Sequence, residues 1–143
     1  MTASIGRPIG QHTAIRALRA YLQDIAGALG IGLESSTIDD DPPVSAYLAL
    51  DTKLAHYPGR DVALLWDERH GWAAAIETHS GEDLIVLRYL GGSLLPPPSE
   101  VARFVTALTE DDHHIGVPAP PELRATVDLD DLAEQFARRG ART

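Results

Sequence analysis

The sequence predicts an α+β fold, a four-stranded antiparallel meander packed against one helix before it and one after it. Three observations carry this. Apolar residues recur at steps of three and four over 12–29 and again over 99–110, the period of a helix that buries one face. Short apolar runs joined by short turn-forming loops fill the middle, which leaves antiparallel pairing as the only connection of sufficient reach. At 143 residues, 44% of them apolar, the chain can enclose one core and not comfortably two.

Residues 1–11 carry Gly6, Pro8 and Gly10 without periodicity and read as a flexible lead-in. From about His12, the residues Ile15, Leu18, Leu22, Ile25 and Leu29 form one stripe. Gly30 falls where a left-handed helix end is usual, and Ile31 is placed to close it. The stripe is too short for a sustained coiled-coil seam, so it is expected to pack on the sheet. Glu34–Pro43, with Asp39, Asp40, Asp41 and two prolines, reads as a loop. The acidic triplet reads as solvated rather than metal-binding, because nothing near it in sequence completes a coordination shell.

The first strand is expected at Val44–Leu50, followed by a loop over Asp51–Arg60 that holds His56. Val62–Trp66 and Trp72–Thr78 flank the hairpin loop Asp67–Gly71. A second hairpin through His79-Ser80-Gly81-Glu82 leads into Asp83–Leu90, which Gly91 and Gly92 end. Ser99 is the expected N-cap of the next helix, whose buried face holds Val101, Phe104, Val105 and Leu108. The main domain is thus 12–112. Residues 113–126, with Pro118, Pro120 and Pro121, read as an extended linker, and 127–143 as a short helix and tail carrying Leu129, Leu132 and Phe136.

Composition excludes several classes of function. There is no cysteine, which removes disulfides, thiolate metal sites and thiol nucleophiles. No apolar run is long enough to span a bilayer, and Met1–Pro8 lacks the apolar centre of an export signal, so a cytoplasmic location is expected. A net charge of −9 repels phosphate backbones, so neither nucleic acid nor membrane is expected as a partner. Lys53 is the only lysine and asparagine is missing, a bias toward GC-rich codons that points to a bacterium with a GC-rich genome.

Alternation along the strands sorts their side chains into two faces. With Trp66 opposite Trp72 and Thr78 opposite Asp83, one face gathers Val62, Leu64, Trp66, Trp72, Ala74, Ile76, Ile85, Leu87 and Tyr89. That bulky set is the expected core. The other face gathers Ala63, Leu65, Ala73, Ala75, Leu84 and Val86, with Glu77 and Arg88 at its end. A sheet with one solvated side should be polar there, and this one is not. Two covers would explain it: the first or the C-terminal helix, or a second copy of the chain seated on Ala63, Leu65, Ala73, Ala75, Leu84 and Val86.

Each chemical candidate has a structural alternative. Glu77 and Arg88 read as a cross-strand ion pair or as an anchor for a polar ligand. His79 and Ser80 lie in a turn and lack the surrounding pattern of an activated nucleophile. Trp66 and Trp72 read as a packed cross-strand pair, or as a stacking surface for a ligand. His113 and His114 beside Asp111 and Asp112 do not have zinc-ligand spacing. No catalytic residue, metal site or cofactor is therefore assigned.

Ala46–Asp51, Ala63–Glu68, Gly71–Ala75, Glu77–Leu84 and Tyr89–Gly91 together resemble an uncharacterised domain family of actinobacteria, over roughly residues 12–108. The resemblance implies an actinobacterial source and no known activity. The chain is expected to be a non-catalytic interaction or regulatory module, homodimeric through the alanine-rich face. The alternatives are a small-molecule binding protein with its pocket between sheet and helices, or a small enzyme using His79, Glu77 or Arg88.

Overall fold

In the computed structural model, which describes residues 9–78, 83–112 and 114–123, the chain opens with helix α1 (Ile9–Leu29). The helix takes in Ile9–Gln11, which glycine and proline content assigns to the lead-in. Its apolar stripe is the buried side: Leu18, Leu22 and Ile25 are at most 2% exposed, joined by Ala14, Tyr21 and Ala26. Each of the three large aliphatics contributes about 1.5–3 kcal/mol by leaving water. The end is as expected. Gly30 has φ +73°, its N–H donates to Gly27 O, and Ile31 N–H donates to Ala26 O, the paired bonds of a Schellman cap.

Five strands follow in one antiparallel sheet whose spatial order is its sequence order: β1 (Ser36–Asp39), β2 (Ser45–Ala49), β3 (Val62–Asp67), β4 (Gly71–Glu77) and β5 (Leu84–Tyr89). The extra strand is β1, inside the stretch expected as a loop. It has four residues, only one of them strongly apolar, and becomes a strand because the open edge of β2 bonds it from Ser36↔Leu48 to Asp39↔Ser45. Trp66 does face Trp72, so the alternation deduced for β3 and β4 holds.

Helix α2 (Pro98–Thr109) closes the domain. Its cap differs from expectation: Ser99 lies inside the first turn, Pro97 is the N-cap residue without a side-chain bond, and Pro98 takes the first helical position, where a missing N–H costs nothing. Val101 and Phe104 are its buried residues. Both helices lie on the face of Ala46, Leu48, Leu64, Trp66, Trp72 and Ala74, forming one buried cluster with it.

The proline-rich stretch expected as a linker is docked on the domain as far as Leu123. Tyr89 and Val117 exchange both backbone bonds, Leu123 N–H donates to Arg69 O, and Ile115 and Leu123 pack against the core. The expected C-terminal helix lies outside the described residues.

Candidate functional site

The two tryptophans are core residues. Each is 1% exposed, Trp66 Nε1 donates to Leu94 O at 2.9 Å, and Trp72 Nε1 donates to Tyr21 Oη at 3.1 Å. Tyr21 in turn donates to Pro96 O at 2.6 Å. The indoles thus pin Leu94–Pro96 to the sheet and present no surface to a ligand.

Glu77 and Arg88 do not pair. Between Ala75↔Val86 and Ala74↔Arg88 the register shifts by one residue, so Leu87 is an extra residue in β5. A one-residue bulge moves every later side chain to the opposite face. Arg88 therefore joins the helix side, where Nε donates to Ile115 O at 2.6 Å and Nη2 to Gly116 O at 3.1 Å. Tyr89 crosses the other way. Glu77 stays on the helix-free face near Asp61 and Tyr47. Burial, then the charges of Glu77 and Asp61, raise the Tyr47 phenol above its ordinary pKa. Asp61 is held below the usual carboxylate range, first by the hydrogen bond from Lys53 and then by its charge. His79 and His113 lie outside the described residues.

Ala63, Ala73 and Ala75 are 1%, 3% and 0% exposed, yet none belongs to either buried apolar cluster. They lie on the face of the sheet opposite the one that the two described helices cover. At the edge of the sheet water reaches Leu84 and Val86 on this face, each 38% exposed, and Ile85 on the other face, 46% exposed. Among the described residues, no backbone bond reaches the outer side of these three; only Tyr89, further along, finds a partner in Val117.

A cavity of about 180 Å³ opens on the helix side, at the far end of α2. Leu54, Leu87 and Leu108 make its apolar wall, with Arg88 at one side. At its mouth His56 Nε2 donates to Asp111 Oδ2 at 2.9 Å. Asp111 stands just past α2 with φ 60°, the one non-glycine in the left-handed region among the described residues. Its N–H donates to Leu108 O and that of Asp112 to Ala107 O, so it fills the cap position that Gly30 fills in α1. Sequence reasoning missed this site because His56 and Asp111 are 55 positions apart and no local pattern marks a bulge at Leu87. Asp39, Asp40 and Asp41 do bring carboxylate oxygens within 4.8 Å of one another, but Asp39 already accepts from Asp41 N, as a turn aspartate does.

The model of a family of unknown function, DUF6292, matches residues 21–107. The chain belongs to that family. The DUF6292 match runs from Tyr21 in α1 to Ala107 in α2, so it takes in the whole sheet. It includes Arg88 and the loop bearing His56, and stops short of Asp111. No curated protein and no solved structure matches the chain. Among the described residues, no helix is long and apolar enough to cross a membrane.

Proposed function

We propose that this DUF6292 domain is a non-catalytic interaction module that pairs with a second copy of itself through β5 and the adjoining helix-free face. One observation carries the reading: the exposed apolar side chains of Leu84, Ile85 and Val86 coincide with the stretch of β5 whose outer edge has no backbone partner among the described residues. An apolar edge without lysine or proline is a template for another strand. Two copies of one strand meet antiparallel across a two-fold axis, which makes the contact closed and self-complementary. The sheet would run on into its copy, and the partly exposed Leu65 on the helix-free face would extend the contact on one side.

The enzyme alternative has less support, since Glu77 and Arg88 face opposite sides of the sheet and could not act together. The arginine-rich, asparagine-free composition supports a source with a GC-rich genome, such as an actinobacterium, and a cytoplasmic location is part of the same proposal.

Sedimentation of the full chain against the double variant Ile85→Lys/Val86→Lys tests the pairing. The wild type should run as a dimer and the variant as a monomer with unchanged circular dichroism. A wild type that is monomeric at the highest attainable concentration overturns the proposal, and so does a folded variant that remains dimeric.

A further inference from the structure

We infer that the cavity at the end of α2 is a binding site for a small organic carboxylate with an apolar body, anchored by Arg88. Two local irregularities converge on it from separate parts of the chain. The bulge at Leu87 places Leu87 and Arg88 side by side on the cavity, and bulges commonly re-aim a side chain in this way. Across from them, Asp111 holds a left-handed backbone where α1 uses glycine, and such positions gather at ligand sites.

Arg88 is half-buried, and two carbonyls hold its guanidinium in place through Nε and Nη2. Among the described residues, no carboxylate pairs with it. A fixed guanidinium with donors to spare matches a planar carboxylate. The remaining wall is Leu54, Leu87 and Leu108, which suits a hydrocarbon body. Size follows from the volume. An apolar cavity of about 150 Å³ holds benzene, so one of about 180 Å³ has room for a ligand of roughly six to nine non-hydrogen atoms. Asp111 and Asp112 at the mouth disfavour a dianion such as phosphate. They leave two sources for the carboxylate: a short branched fatty acid, or an amino acid whose ammonium group they would meet.

Titration of the full chain, followed by amide chemical shifts, separates these with three probes of one skeleton: 4-methylpentanoate, leucine and 3-methylbutylamine. At least one carboxylate should saturate with a Kd of about 1 mM or tighter, and the amine should not. Tighter binding of leucine assigns the amino acid, and tighter binding of 4-methylpentanoate assigns the fatty acid. Arg88→Gln should weaken the preferred probe about tenfold or more. Because Arg88 also ties down Ile115 and Gly116, Ala55→Leu provides a second variant. It adds bulk from an exposed lip position and should weaken binding similarly with the fold intact. Failure of both carboxylates to saturate overturns the assignment. Equal binding of the amine, or unchanged affinity in a folded Arg88→Gln or Ala55→Leu protein, also overturns it.

Discussion

Replacing Tyr21 by phenylalanine tests the polar chain that crosses the core from Trp72 through Tyr21 to Pro96. The ring survives and keeps its tilted contact with Trp72, at 6.2 Å between centroids, so little cavity is created. What disappears is the hydroxyl, which accepts from Trp72 Nε1 at 3.1 Å and donates to Pro96 O at 2.6 Å. Tyr21 is 3% and Trp72 1% exposed, so water cannot readily replace it. An orphaned buried donor or acceptor costs about 1–3 kcal/mol. Two of them, with some relaxation, should lower stability by about 2–4 kcal/mol, a fall of roughly 6–12 °C in Tm for a domain of this size. Urea unfolding followed by far-UV circular dichroism, at one protein concentration, measures the loss. A double-mutant cycle with Trp72→Phe adds a sharper check. Once the indole N–H is gone, the missing hydroxyl orphans only the carbonyl, so the cycle should show about 1–2 kcal/mol of coupling. A Tyr21→Phe protein within about 0.5 kcal/mol of wild type, or a cycle that closes additively, refutes the reasoning.

Three other outcomes are expected. At Asp111, glycine should be at least as stable as aspartate and alanine less stable than glycine by about 1 kcal/mol, because only glycine is free of strain at φ 60°; urea midpoints that place alanine level with glycine contradict the cap assignment. The depressed pKa of Asp61 stabilises the fold above the ordinary carboxylate range, and this is lost as pH falls through the folded-state pKa. Lys53→Met should therefore lower the urea midpoint near neutrality and converge with wild type in strong acid; a constant gap across pH would deny the link. Self-association should tighten with added salt, because each copy carries −9; sedimentation showing dissociation at high salt would mean that attractive charges hold the copies together.

The strands and helices were legible where a local period repeats. The stripe from Ile15 to Leu29, the Trp66↔Trp72 register and the glycine cap at Gly30 all follow from rules spanning a few residues. The short strand β1 was not, because its four residues gain strand geometry only from the edge of β2. Alternation also failed beyond Val86. A parity rule holds only while no residue is inserted, and the extra Leu87 sent Arg88 to the helix side and Tyr89 away from it. The candidate cavity was invisible for a related reason, since its walls come from the loop around His56, from β5 and from the end of α2.

The sequence by itself determined the α+β class, the antiparallel order, the alanine-rich face and the absence of thiol chemistry, since each depends on residue type or on neighbours a few positions apart. Only the tertiary structure decided that Val117 docks beside Tyr89, where the outer edge of β5 lacks a backbone partner among the described residues, and that Arg88 meets leucines rather than Glu77. Those outcomes rest on contacts between distant segments and on one inserted residue, whose effect on every later side chain no short-range pattern records.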